Sequence, residues 1–167
     1  MAREAKRAVV VPTRIMPTPT GGESSRVNAE LLISLGFWAR QEGSGVVFES
    51  SVGFLLPDGA MRGPDAAWVR RERWEALAEK QRRKHVPLVP DFIAEVRSPS
   101  DSMSLLREKM ESWRANGVAL GWLIDPYRRT VDVYHPDKPV EQLRDPERLS
   151  GEPVLRGFVL ELGEIWE

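Results

Sequence analysis

Two acids set four residues apart in an apolar run, Asp91 and Glu95 of Pro90-Asp91-Phe92-Ile93-Ala94-Glu95-Val96-Arg97-Ser98-Pro99-Ser100, have the clearest capacity for chemistry in this sequence. Side chains alternate along a strand, so Asp91, Ile93, Glu95 and Arg97 share one side while Phe92, Ala94 and Val96 share the other. Like charges on a part-buried strand raise each other's energy, and a divalent cation or a cationic side chain between them relieves it. Pro64-Asp65 repeats the Pro-Asp pattern ahead of a second apolar run, Ala66-Ala67-Trp68-Val69. Taken singly, each Pro-Asp pair reads as an ordinary strand entry. Lys109 follows Leu105 and Leu106 by four and three residues and precedes Trp113 by four, which sets an ammonium on the helix face that must pack on the sheet. Two readings of it stand: its stem carries the charge out to solvent, or the charge points at Glu95.

Composition narrows the chemistry. The sequence contains no cysteine, which excludes disulfides, zinc–thiolate centres and thiol nucleophiles. His85 and His135 are the only histidines, so a bound metal is expected to be a hard cation held by oxygen, Mg²⁺ or Mn²⁺. A formal charge of −1 gives no bulk field for a polyanion, and affinity for nucleic acid must come from local patches. Two such patches are Arg70, Arg71 and Arg73, then Arg82, Arg83, Lys84 and His85; interspersed glutamates leave open that this is only a solvated face. No apolar stretch reaches the roughly 20 residues of a membrane span, and the short run after Arg7 falls below signal-peptide length, so a cytoplasmic protein with no membrane partner is expected.

The elements that must position these residues follow from periodicity. At 167 residues the chain suits one domain, read as an extended, proline-containing arm over 1–22 and a single domain over 23–167. Ser24 and Ser25 are candidate caps for a helix whose stripe is Val27, Leu31, Leu35 and Trp38, ending before Gly43, with Glu30 flanking that stripe. Strands are expected at 46–48, 52–56, 63–69, 91–96, 120–124 and 130–134, with weaker signals at 154–155 and 158–162. The spacing predicts one charged helix over 70–84 and another over 102–115, capped by Ser100 and Asp101 and stopped at Asn116-Gly117. The helix between the strands at 91–96 and 120–124 implies a parallel crossover, and the whole an α/β domain with a central mixed sheet flanked by helices.

Taken in order, Pro64-Asp65, the run from Pro90 to Ser100, Lys109 within Arg107-Glu108-Lys109-Met110, Gly117-Val118 and Gly121-Trp122-Leu123-Ile124-Asp125-Pro126 resemble the Uma-two family of restriction-endonuclease-like proteins, within the PD-(D/E)XK nuclease superfamily. The resemblance spans about 26–136 and implies a restriction-endonuclease-like core with a divalent metal held by acids. It implies that Asp65 and Glu95 are the paired acids, that Lys109 matches a lysine relocated in this family from the strand to the following helix, that Glu30 supports them, and that Asp91 is a neighbouring ligand. Arg97 stands where the superfamily's lysine belongs, and arginine shuttles protons poorly. The reading is therefore a Mg²⁺- or Mn²⁺-dependent DNA endonuclease, expected as a homodimer, with Asp65, Glu95, Lys109 and Glu30 catalytic, Asp65, Glu95 and Asp91 on the metal, and Arg70, Arg71 and Arg97 on DNA. The alternative is a non-catalytic module of the same fold that binds nucleic acid or a protein. A glycosidase is disfavoured, because acids sharing one strand face do not flank a substrate.

Overall fold

The computed structural model describes residues 21–167, so all but the end of the expected arm at 1–22 lies outside the described residues. The chain runs α1 (Gly22–Glu42), β1 (Gly45–Glu49), β2 (Phe54–Leu55), β3 (Met61–Arg62), β4 (Ala66–Arg70), α2 (Arg71–Glu75), α3 (Glu79–Arg82), β5 (Phe92–Val96), α4 (Met103–Ala115), β6 (Leu120–Asp125), β7 (Thr130–Tyr134), β8 (Glu141–Arg144), β9 (Arg148–Ser150), β10 (Val159–Glu161) and α5 (Gly163–Trp166). Six strands form one sheet in the order β1-β4-β5-β6-β7-β8. Within it β5 and β6 are parallel, as the crossover through α4 requires, and every other neighbouring pair is antiparallel. Among the described residues no helix is long and apolar enough to cross a membrane.

The alternation along β5 sets two cores, one on each face of the sheet. Phe92, Ala94 and Val96 meet Val27, Leu31, Leu35 and Ala39 of α1, and the β9–β10 ribbon and α5 close that side with Leu149, Leu160 and Ile165. Ile93 faces the other way, onto Met110 and Trp113 of α4 beside Ala67, Val69 and Leu123. Gly121 lets α4 sit this close: a Cβ there would stand 2.8 Å from the Met110 methyl. The sheet is thus covered on both faces, and any polar side chain on β5 is dry.

Several expectations are corrected. The first helix begins at Gly22, so Ser24 and Ser25 lie in its opening turn and do not cap it. The charged stretch 70–84 is two short helices rather than one, because Ala78 is extended and its N–H bonds the Gln81 side chain to start a new turn. That stretch buries only Trp74 and Leu77 against the core, too little apolar face to hold a continuous helix. β8 and β9 are strands that the sequence patterning does not mark, while Val154 and Leu155 fill the core from a turn. Asp101 does not cap α4, whose N-cap is Ser102; its carboxylate instead accepts the Ser98 N–H at 2.8 Å and the Ser98 hydroxyl at 2.7 Å, closing the loop after β5.

Asp91 also takes a different role from the one expected. It lies just ahead of β5, about 13 Å along the strand from Glu95 at the usual rise. Its buried carboxylate accepts the Arg70 N–H at 2.9 Å and pairs with Arg73 Nη1 at 2.9 Å and Arg70 Nε at 3.4 Å. These contacts pin the corner where β4 turns into α2 to the start of β5. Truncating Asp91 leaves the Arg70 N–H unpaired, whereas the part-exposed guanidinium groups return to water. Asp91→Ala is therefore expected to lower stability by about 2 kcal/mol, seen as a lower urea midpoint at unchanged slope.

Candidate active site

Glu95 points from β5 toward α4 and is 3 % exposed. Lys109 reaches back to it from the helix, with Nζ 2.7 Å from Glu95 Oε1. Trp113, one turn further along α4, donates its indole N–H to the same oxygen at 3.2 Å. The ammonium also donates to the Gly63 carbonyl at 3.1 Å, tying the helix to the segment that leads into Asp65. Of the two readings open for Lys109, the one directed at Glu95 is the one the structure adopts, and Trp113 is a polar partner of Glu95 that its apolar spacing concealed. An indole is a core residue with one polar edge, and only the edge gives it away.

Asp65 reaches the same place by another route. It immediately precedes β4, which runs antiparallel beside β5 with Ala66 opposite Ala94. The entry of β4 therefore meets the exit of β5, and Asp65 Oδ2 accepts the Val96 N–H at 2.7 Å. Asp65 Oδ1 and Glu95 Oε2 make no hydrogen bond among the described residues. The site is thus two largely buried carboxylates, each fixed through one oxygen and open at the other, with one lysine between helix and sheet.

Burial dominates their electrostatics. Loss of hydration pushes the Glu95 carboxyl up to about 7; the Lys109 ammonium opposes the rise and the Asp65 charge adds to it. Burial also raises Asp65, against the Val96 N–H and Lys109, with the Asp101 charge reinforcing the shift. Two acids facing one ammonium leave the pocket short of positive charge once both ionise.

The other predicted residues go elsewhere. Arg97 turns to Asp125 at the end of β6, with Nη1 3.0 Å from Oδ2, and lies over the Tyr127 ring with 5.8 Å from guanidinium carbon to centroid. It ties two parallel strands together at their exits and does not take the place of Lys109. Glu30 sits on α1, across the sheet from Glu95, and makes no hydrogen bond or ion pair among the described residues. Arg70 is held by Asp91, and Arg71 bonds the Gly43 and Gly45 carbonyls at 2.7 and 3.3 Å, both at the opposite end of β4 from Asp65. Among the described residues no three metal-binding side chains converge, and the carboxylates that could hold an ion at this site are Asp65 and Glu95. That set suits Mg²⁺, which keeps most of its waters, better than a cation needing a full protein cage.

The raised Glu95 pKa has a defined effect on stability. A folded-state value of about 7 against 4.5 means that the folded chain holds a proton the unfolded chain has released, so stability from this group is full below 4.5 and falls as pH rises to about 7. Glu95→Gln keeps an acceptor for Trp113 and Lys109 but cannot ionise. The variant is expected to match wild type near pH 4.5 and to exceed it by on the order of 3 kcal/mol at pH 8, measured as the difference between urea midpoints across pH. An equal gap at all pH values overturns the assignment.

Comparison with known proteins bears on the fold and the family. The chain is similar to the crystal structure described as "a putative nuclease belonging to DUF820 from Anabaena variabilis ATCC 29413", at 20% identity and a TM-score of 0.75, covering 90% of this chain and 83% of that one. The two share a fold. A "DrdV-DNA complex" solved by cryoEM aligns at 8% identity and a TM-score of 0.41 over 75% of this chain and 87% of that one. No curated protein matches the chain in sequence. The profile of the Uma2 family, described as "Putative restriction endonuclease", matches residues 3–163, and the chain belongs to that family.

Proposed function

We propose that the protein is a divalent-metal-dependent endonuclease that hydrolyses phosphodiester bonds in DNA. The observation that carries this reading is the convergence of Glu95, Asp65 and Lys109 from a strand, a strand entry and a helix at one end of the sheet's central strands. Membership of the Uma2 family supports the same chemistry. The open oxygens of Asp65 and Glu95 would hold the ion, Mg²⁺ or Mn²⁺. When bound, it supplies a water of lowered pKa and a Lewis-acid contact to the phosphate.

The chain's own residues do the rest. The Val96 N–H fixes the Asp65 carboxylate and the Trp113 indole fixes that of Glu95, so neither acid spends freedom on finding its place. Lys109 orients the attacking water and meets the negative charge that grows on the phosphate, an interaction stronger in the transition state than before it. Two sites in a homodimer would serve the two strands of a duplex. A second reading, a DNA-binding module without catalysis, is favoured by one observation: Lys109 pairs directly with Glu95 Oε1, as a purely structural ion pair would.

Calorimetry with Mn²⁺ and nicking of supercoiled plasmid separate the two readings. Wild type is expected to bind Mn²⁺ and nick DNA; Asp65→Ala and Glu95→Ala lose both. Lys109→Met retains Mn²⁺ but nicks about 10²- to 10³-fold more slowly, the usual cost of one transition-state donor. Wild-type protein that binds DNA yet takes up no metal and nicks nothing establishes the second reading instead.

A further inference from the structure

On the face of the sheet that carries Glu95, one strand over, lies an open cleft of about 340 Å³ that the catalytic reading does not use. It begins at Asp125, two residues past Leu123, the parallel partner of Glu95, and extends across β7 to Arg144 at the end of β8. Its walls are mainly Arg107, Arg128, Arg144, Gln142 and Asp145. Each acid here already has its arginine. Arg97 holds Asp125 at 3.0 Å, Arg107 Nε holds Asp132 Oδ2 at 2.8 Å with Gln142 on the other oxygen at 3.0 Å, and Arg129 Nε holds Asp145 Oδ1 at 2.8 Å. Arg128 and Arg144 are left over: both are exposed, and neither guanidinium makes an ion pair or hydrogen bond among the described residues.

The backbone presents these two arginines together and accepts strain to do so. Arg129 and Asp145, each next in sequence to one of them, are the non-glycine residues with positive φ among the described residues, at 52° and 49°. Besides their ion pair, the Asp145 N–H donates to the Arg129 carbonyl at 2.7 Å. Thr130 stands opposite Arg144 in the ladder, so the β6–β7 turn and the end of β8 are locked side by side. Two planar forks with no protein acceptor, held adjacent in an open polar cleft, match the oxygens of a phosphodiester backbone.

We propose that Arg128 and Arg144, backed by Arg107, form a phosphate-binding track that holds the DNA strand flanking the one presented to Asp65 and Glu95. This rests on the nuclease reading for the identity of the polyanion. It also gives a chain of net charge −1 a local route to DNA: two arginines unpaired among the described residues lie at the end of the sheet where the acids lie, whereas Arg70 and Arg71 at the far end of β4 are held by structural partners.

The test is binding of a fluorescent duplex by anisotropy over a salt series, in EDTA for the wild-type background and in Mg²⁺ for the Glu95→Gln background. Arg128→Ala/Arg144→Ala is expected to weaken binding about tenfold or more and to reduce the slope of log affinity against log salt by about two. Arg40→Ala/Arg156→Ala removes the same charge from the α1 side and is expected to change neither. Plasmid nicking by each protein runs in parallel. If wild type nicks but the cleft variant binds DNA with unchanged affinity and slope, the track is overturned and the nuclease reading survives. If binding depends on the cleft but wild type never nicks, the track stands and the catalytic reading falls; wild type that binds no duplex overturns both.

Discussion

A carboxylate in the middle of a strand with protein packed on both faces is the constraint around which the site is organised. Glu95 cannot turn to water, because β5 is central and α4 lies over it. An unpaired charge in that position is among the most expensive things a fold can contain. Everything nearby reduces that expense: Lys109 supplies the opposite charge, Trp113 a neutral donor, and burial shifts the proton equilibrium toward the neutral acid. A hydrophobe of similar size at this position would carry none of these costs, so the acid is not explained by packing.

Much of this was legible from residue type and period. The two faces of β5, the βαβ crossover and the helix face that carries Lys109 follow from alternation by two and recurrence by three and four, which are local properties; that its ammonium turns to Glu95 and not to solvent does not. The meeting of Asp65 with Glu95 is not local, since it requires β4 to run antiparallel beside β5 in one particular register. The repeated Pro-Asp motif pointed to it indirectly. The same motif misleads at residue 91, because face is readable from parity whereas position along the strand relative to a neighbour is not. Asp91 and Glu95 share a face and sit at opposite ends of it.

Charge was the least legible quantity. Arg70 and Arg71 form a basic cluster in the sequence, yet their guanidinium groups are spent on Asp91 and on backbone carbonyls. Arg128 and Arg144 are far apart in sequence, look unremarkable, and become neighbours only through the β7–β8 ladder. Clustering along a chain therefore says little about where unneutralised charge accumulates on a surface. Pairing decides it, and pairing is a tertiary property.

The position of Lys109 on a helix rather than a strand has a bearing on how this site tolerates sequence drift. A strand lysine two residues from its acid is held in phase by the pleat alone. A helical lysine depends on rotational phase, which an α-helix advances by about 100° per residue. The loop from Ser98 to Ser102 does not set that phase, because α4 is seated on the sheet by Met110 and Trp113. One residue added between Lys109 and Trp113 is a different matter. It would put Lys109 about 100° out of phase with Trp113, so the ammonium and the indole could no longer meet the same Glu95 oxygen, and the spacing from Lys109 to Trp113 is the segment in which length itself is under constraint.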